Sequence, residues 1–393
     1  MLKVGTDFSG IGSPEIALKN LGVNFKSMFA CDYDKYAKQS YLANHNTENF
    51  YDDITTRNQK DTPYVDLYVA GFPCQAFSLA GKRQGFDDTR GTLFFDLLKY
   101  LEAKKPKYFI LENVKGLLSH NKGQTMAIIL DCLAKTVNSQ YSFTMYEEGL
   151  NYHIYYKVLN TKDYGLPQNR ERVFIVGFRD DNHTFRWPKP FKLEKKLADL
   201  LEEEVDDKYY LSDKAQKSII ENTKNLQKSK VNPDISTSLQ SPGNAYGVYK
   251  GATYIRTHSL YPRSSKTGPG GSGPLNKDDG TTYCIDTGNA QAIEIKSVYG
   301  GLQKNSFKGD GKISPCLTSA MGAGGGHTPI VETSRIRKLT PLECLRLQGF
   351  PDEFYYKCKE DGLSDTQLYK QAGNSMTSDV MYYIIKEILK NGY

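Results

Sequence analysis

No two of the seven cysteines, at positions 31, 74, 132, 284, 316, 344 and 358, form a Cys-x-x-Cys pair, and the histidines make no cluster at metal-ligand spacing. An odd, scattered set of this kind speaks against a disulfide framework and against a zinc site, so no metal is expected. No stretch approaches the roughly 20 apolar residues needed to span a bilayer. Met1 to Gly12 lacks the layout of a signal peptide, so the chain reads as soluble, intracellular and free of membrane association. Neither sign of charge dominates: 51 Lys and Arg against 45 Asp and Glu leave a net +6, and the pI is near 8.7. That balance permits a polyanionic partner without demanding one. What is present is an ordinary globular composition, 39% hydrophobic and 24% charged over 393 residues. At roughly 150 residues per domain, this suggests two or three domains and a sizeable core.

From Leu2 to about Gly177 short apolar runs alternate with helical patterns. Strands are expected at Leu2 to Phe8, Ser27 to Ala30, Val65 to Ala70 and Tyr108 to Leu111, with Val173 to Gly177 as a late strand of the same sheet. Helices are expected near 14–21, 35–44, 93–103 and 124–135. Strands separated by helices imply a parallel sheet with helices on its faces. Around Asp180 the character changes. Residues 192–230 are charge-rich, and 231–330 are dense in Gly, Ser, Thr, Tyr and Asn, which reads as a second domain of short strands and long loops. Within 241–330 nine Lys or Arg face five Asp or Glu, interleaved with Tyr246, Tyr249, Tyr254, Tyr261 and Tyr283. Basic residues among aromatics suit nucleic acid, and a solvated loop domain is the plainer alternative. Regularity returns after Arg337, with a capped helix start at Thr340-Pro341-Leu342-Glu343 and an amphipathic helix from Asp379 to Leu389.

Four segments carry chemistry. The first strand ends in Asp7-Phe8-Ser9-Gly10-Ile11-Gly12-Ser13-Pro14. Its glycines let a ligand approach amides at a helix N-terminus. Some twenty residues on, Cys31-Asp32-Tyr33 ends the next strand, where an acid can bind ribose hydroxyls. Together these suggest a nucleoside pocket, with Phe8 and Tyr33 as aromatic walls, but the turn does not separate NAD from S-adenosylmethionine, and a structural turn remains the alternative. In the second segment Val69-Ala70-Gly71-Phe72-Pro73-Cys74-Gln75 delivers a cysteine just past a strand end, where a thiolate can meet a substrate; a buried packing cysteine is the competing reading. Leu111-Glu112-Asn113 puts a carboxylate on the same sheet rim, a candidate acid whose pKa enclosure would raise, or else a helix cap. Finally, Gln168-Asn169-Arg170-Glu171-Arg172 precedes the late strand, and alternation throws Arg170 and Arg172 to one face. There they can brace a carboxylate or phosphate, unless they belong to a surface ion-pair ladder.

In this order the chain resembles the DNA (cytosine-5) methyltransferase family of restriction-modification systems. The likeness covers nearly all of residues 1–178 and 335–393. It rests on Phe8-Ser9-Gly10-Ile11-Gly12, Gly71-Phe72-Pro73-Cys74-Gln75, Arg90-Gly91-Thr92-Leu93-Phe94-Phe95, Glu112-Asn113-Val114, Gln168-Asn169-Arg170-Glu171-Arg172, Leu339-Thr340-Pro341-Leu342-Glu343-Cys344 with Gln348-Gly349-Phe350-Pro351, and Gln371-Ala372-Gly373-Asn374-Ser375. The resemblance implies an α/β fold with a doubly wound, mostly parallel sheet and a smaller irregular target-recognition domain. It divides the chain into a catalytic domain at 1–180, target recognition at 181–334, and a segment at 335–393 that returns to the catalytic domain. It further implies that Cys74 adds to C6 of a cytosine flipped out of duplex DNA, that Glu112 contacts N3 and the exocyclic amine and Arg172 steadies the base, and that Arg170 belongs to the same catalytic set. S-adenosyl-L-methionine would be held by Phe8, Gly10, Ile11, Gly12, Asp32, Tyr33, Asp53, Ile54, Pro73, Asn374 and Ser375. The resemblance carries no code for the sequence recognised; the candidate DNA contacts are Gln75, Ser78, Arg256, Arg263, Lys266 and Cys316, the last a packing residue rather than a second catalytic thiol.

Three positions depart from the family pattern. Ser13 stands where a further glycine is frequent, Asp32 replaces the commoner glutamate, and Cys316-Leu317 occupies the place of a Thr-Leu pair. Two rivals follow. One is an RNA methyltransferase like the transfer-RNA branch, whose Cys-Phe-Thr tripeptide is absent here, Cys316-Leu317-Thr318 coming nearest. The other is an inactive DNA-binding relative, which the intact Cys74, Glu112, Arg170 and Arg172 oppose. A cytoplasmic monomer is expected, bacterial or phage-encoded, with any cognate restriction endonuclease acting separately.

Overall fold

The computed structural model describes residues 1–73, 93–141, 149–210, 212, 254–259, 275–277, 291–296 and 337–390. Two compact units divide the chain: Met1–Lys195, Asp286–Gly288 and Cys344–Tyr393 form the first, Lys196–Ile285 and Asn289–Glu343 the second. Nine strands build the sheet of the first unit: β1 (Leu2–Asp7), β2 (Phe25–Cys31), β3 (Phe50–Tyr51), β4 (Leu67–Ala70), β5 (Tyr108–Val114), β6 (Ala134–Val137), β7 (Gln140–Tyr141), β8 (Tyr152–Asn160) and β9 (Glu171–Phe178). Their order is β3-β2-β1-β4-β5-β9-β8-β6-β7. From β3 to β5 all neighbours are parallel. β9 runs antiparallel to both β5 and β8, and β6 is parallel to β8. The fold is the expected mostly parallel α/β sheet. The reversal at β9 and the whole of β8 went unforeseen.

The alternation of side chains explains why helices cover both faces. Tyr68, Ala70, Phe109, Leu111, Val173 and Ile175 turn to one core with α3 (Leu93–Lys104) and α4 (Gln124–Leu133). Leu67, Val69, Ile110, Phe174 and Val176 turn to the other, with α1 (Ser13–Asn20) and the C-terminal helix Ser378–Leu389. β4 is consequently buried at all four residues, the mark of a strand covered on both sides. Continued towards the C-terminal end of β5 and the N-terminal end of β9, the same alternation puts Glu112 on the face of Ile110 and Arg172 on that of Phe174. Two rim charges are thereby aimed to the same side.

Helix ends are set by local chemistry. α2 (Lys35–Asn44) starts where the Asp34 carboxylate accepts the Tyr36 amide at 2.9 Å. α5 (Pro341–Arg346) opens with a capping box: Thr340 Oγ1 accepts the Glu343 amide at 3.2 Å, and Glu343 Oε2 accepts the Thr340 amide at 2.8 Å. Three further helices follow, α6 (Asp352–Glu360), α7 (Asp365–Asn374) and α8 (Ser378–Leu389). α8 packs along α1, burying Met381, Ile384, Ile385 and Ile388 completely. This brings the end of the chain back onto the face of its first strand.

The second unit holds an antiparallel sheet of β10 (Tyr254–Ser259), β11 (Leu275–Lys277), β12 (Gln291–Lys296) and β13 (Arg337–Lys338), in the order β11-β10-β12-β13. Arg337 and Glu343 form a buried bidentate pair there at 2.9 and 2.7 Å. No helix among the described residues is long and apolar enough to cross a membrane, and no group of His, Cys, Asp or Glu among them is suited to a metal ion.

Candidate active site

The turn after β1 reverses the chain by left-handed conformations at Phe8 (φ 52°), Gly10 (φ 53°) and Gly12 (φ 83°). A Cβ on Gly10 would meet nothing within 4 Å, so the backbone is open on that side. Gly12 is glycine for a second reason: a side chain there would collide with the His45 ring. Ser9 staples the turn to β2, its Oγ accepting the Cys31 amide at 2.8 Å while its own amide donates to the Cys31 carbonyl at 3.0 Å.

Asp32 is joined directly to this turn. Its Oδ2 accepts the Gly10 amide at 2.7 Å and its Oδ1 the Asp34 amide at 2.9 Å. Burial raises its pKa, and the two amides oppose that shift. Tyr33 beside it is 86% exposed, with an uncovered ring face. Ile11 is the opposite: its side chain is buried, and its carbonyl lies 3.1 Å from His45 Nε2. Burial lowers His45 to about 3, so the ring is neutral. Lys19 Nζ lies 3.2 Å from Nδ1, which makes Nδ1 the acceptor and Nε2 the donor to Ile11. On the neighbouring loop Asp53 Oδ1 accepts the Thr55 amide and hydroxyl at 2.8 Å each, and the Ile54 side chain is buried.

The second half of the rim lies at the C-terminal ends of β4 and β5. Glu112 is buried, and desolvation raises its pKa despite the opposing charges of Arg172 and Arg170. Arg172 Nε stands 3.1 Å from Glu112 Oε1 without hydrogen-bond alignment, and Oε1 accepts no hydrogen bond among the described residues. The next helical turn, Lys115–Leu118, has no side-chain cap, so Glu112 does not serve as one. A Cβ on Gly71 would lie 3.6 Å from Glu112 Oε2 and 2.8 Å from the Met376 methyl, which keeps that position small. Asn113 Nδ2 donates to the Phe72 carbonyl at 2.8 Å, tying β5 to the segment that leads into Cys74.

Arg170 is buried and donates to the carbonyls of Gly373 (3.1 Å) and Ser375 (2.7 Å). It thereby holds the segment on either side of Asn374, whose own side chain is exposed. Ser375 is turned inward, its Oγ 2.7 Å from Ser13 Oγ, while Ser13 Oγ donates to the Met376 carbonyl at 2.8 Å. Ser13, read from the sequence only as a missing glycine, is thus a side-chain link between the first helix and the last segment. Its sequence signal was the departure itself. His45 had no signal beyond a polar loop.

The structure brings Phe8, Gly10, Gly12 and Asp32 together at one turn, and Glu112, Arg170 and Arg172 at the other part of the rim. Pro73 is exposed at the edge of the described chain. Cys74, Gln75, Ser78, Arg263, Lys266 and Cys316 lie outside the described residues. Arg256 lies on β10, opposite Glu294 of β12.

A family model described as C-5 cytosine-specific DNA methylase matches residues 6–390. Orphan methyltransferase M.SPRI of Bacillus phage SPR is 34% identical, with 99% of this chain and 97% of that protein covered. Type II methyltransferase M.Bsp6I of Bacillus sp. (strain RFL6) is 33% identical over 100% of this chain and 99% of that one. Among solved structures, S. pombe Dnmt2 methyltransferase superposes with a TM-score of 0.59 at 17% identity, covering 99% of both chains, a likeness of fold.

Proposed function

The chain belongs to the C-5 cytosine-specific DNA methylase family, and from that premise we propose that it transfers a methyl group from S-adenosyl-L-methionine to C5 of a cytosine flipped out of duplex DNA. The observation that carries this reading is Glu112: buried, raised in pKa, flanked by Arg172, and 3.6 Å from the Cβ position of Gly71 on the segment running into Cys74. A buried carboxylic acid that holds its proton to higher pH than it would in water suits a site that must protonate a base.

The residues present fit the methyl donor. Gly10 offers open backbone, Asp32 has both oxygens steadied beside it, Tyr33 offers an exposed ring, and Asn374 is exposed at the end of α7. Phe8, Ile11 through its backbone, Gly12, Asp53, Ile54, Pro73 and Ser375 complete the proposed set. When bound, S-adenosyl-L-methionine supplies an electrophilic sulfonium methyl group.

Cys74 acts as a thiolate, forming a bond to C6 and pushing electron density to C5, which makes C5 nucleophilic. Glu112 gives its proton to N3 and accepts from the exocyclic amine, offsetting the charge that addition creates. Arg172 holds Glu112 in place, and Arg170 holds the Gly373–Ser375 backbone. Attack of C5 on the donor's methyl group would break its C–S bond and release the neutral thioether, S-adenosyl-L-homocysteine; loss of the C5 proton to solvent then re-forms the C5=C6 double bond and expels Cys74 as thiolate, and N3 returns its proton to Glu112. The second unit, with its basic and aromatic composition, is proposed to recognise the target sequence, with Gln75, Ser78, Arg256, Arg263, Lys266 and Cys316 as candidate contacts.

A duplex in which 5-fluoro-2′-deoxycytidine replaces cytidine throughout tests the covalent step. Fluorine cannot leave C5 as a cation, so elimination stops and the protein stays bonded to DNA through denaturing electrophoresis. The adduct should require the methyl donor and vanish in Cys74→Ala. Turnover on ordinary DNA with no adduct on the fluorinated duplex would overturn the thiolate's role.

A further inference from the structure

Arg57 sits fifty residues from Asp7 in sequence and meets it in the core. Nη1 and Nη2 donate to the two Asp7 oxygens at 2.6 and 2.7 Å, with side-chain exposures of 1% and 0%. Tyr68 of β4 adds its hydroxyl to Asp7 Oδ2 at 2.7 Å. The rest of the fork faces the loop after β3: Nε and Nη2 donate to Gln59 Oε1 at 3.1 and 2.9 Å, and Gln59 Nε2 donates to the Ile54 carbonyl at 3.0 Å. The guanidinium carbon lies 4.9 Å from the centre of the Phe29 ring and 5.2 Å from that of Tyr51.

As a stabilising device this is a poor choice. Replacing a buried ion pair by apolar side chains of similar volume is often neutral or favourable. What a forked guanidinium supplies that a packed leucine does not is a fixed distance and direction between the groups it bonds. Here those groups are Asp7, immediately before the glycine turn, and Gln59; Asp7 in turn accepts from Tyr68 on the strand leading to Cys74, and Gln59 donates to the Ile54 carbonyl. Three pieces of the proposed nucleoside cradle are thus set by one side chain that does not itself reach the cradle.

We propose that Arg57, with Gln59 relaying to the Ile54 carbonyl, is a positioning residue that fixes the spacing between the glycine turn and the Asp53–Ile54 loop, and through it the affinity for the nucleoside half of the methyl donor. This rests on the reading of that rim as a nucleoside cradle. The bonds of the guanidinium itself end at Asp7 and Gln59, and the Tyr68–Asp7 bond to β4 survives its loss, so that loss is felt in donor binding and not in the turnover of a saturated enzyme.

Two variants test it. Arg57→Lys keeps the charge and loses the fork, and Gln59→Met keeps the Asp7–Arg57 pair and cuts the relay. Calorimetric titration with S-adenosyl-L-homocysteine should show binding weakened by about tenfold or more in both, with the KM for S-adenosyl-L-methionine raised by the same factor and kcat changed by less than about threefold. Should Arg57→Lys fail to fold, Gln59→Met decides alone. Folded variants binding within about twofold of the wild type would overturn the positioning role and leave the cradle reading intact. A wild-type chain that binds no S-adenosyl-L-homocysteine would overturn the cradle reading, and this inference with it.

Discussion

Cys74→Ala is expected to lower methyl transfer by at least about a thousandfold, because without the thiolate C5 of cytosine has too little electron density to attack an alkyl group. The substitution removes one sulfur beyond the end of β4 and disturbs none of the hydrogen bonds at the Gly10–Asp32 turn. Binding of S-adenosyl-L-homocysteine should therefore stay within about twofold of the wild type, which separates loss of the nucleophile from loss of the fold. DNA affinity should persist as well, since phosphate and groove contacts do not depend on the thiol. Retained transfer at more than a tenth of the wild-type rate would remove Cys74 from the reaction.

Glu112→Gln is expected to cost about a hundredfold to ten-thousandfold in kcat, the range lost with a positioned proton donor. Its pH behaviour makes the prediction more specific. Burial raises the Glu112 pKa above its ordinary value of 4.5, so the protonated form persists to higher pH than in water. Wild-type activity should fall on the alkaline side as pH rises through that raised value, giving with Cys74 a bell-shaped profile. The glutamine variant should lack the limb that Glu112 contributes. Stability carries the same sign. A folded-state pKa above the unfolded one means that the folded protein binds the proton more tightly, so the group's stabilising effect is present below the ordinary carboxyl range and lost as pH rises through the raised value. Thermal melts should therefore show the wild type losing stability relative to Glu112→Gln as pH is raised. Parallel pH–stability curves for the two proteins would contradict the burial-driven shift.

Much of the first unit was legible because its strands are covered on both faces. Val65 to Ala70 and Tyr108 to Leu111 read as apolar runs, and the observed β4 and β5 sit within or extend them. β8 was missed because Tyr152–Asn160 mixes histidine, lysine and three tyrosines with its few aliphatic residues and shows no clean apolar run, as its half-buried place in the sheet explains. Nothing in Glu171–Phe178 announces that β9 runs against its neighbours; direction follows from how the chain crosses the sheet, not from side-chain pattern. α6 and α7 were not separated in the sequence because both are predominantly polar.

At the site, the residues proposed to touch a ligand sit in short motifs that could be read locally, as with Gly10, Asp32 and Glu112. The residues that hold those motifs in place could not. Ser13 reaches Ser375 across more than three hundred positions, Arg170 reaches Gly373, and Arg57 reaches Asp7. Each is a polar residue whose partner is defined only once the sheet has formed.

The central assignment is tested most directly by supplying the full chain with S-adenosyl-L-methionine labelled in its methyl group, alongside duplex DNA or transfer RNA, and digesting the products to nucleosides. Label should appear as 5-methyl-2′-deoxycytidine from the duplex and disappear with Cys74→Ala. Label confined to RNA, or carried on the exocyclic nitrogen of cytosine, would contradict the assignment.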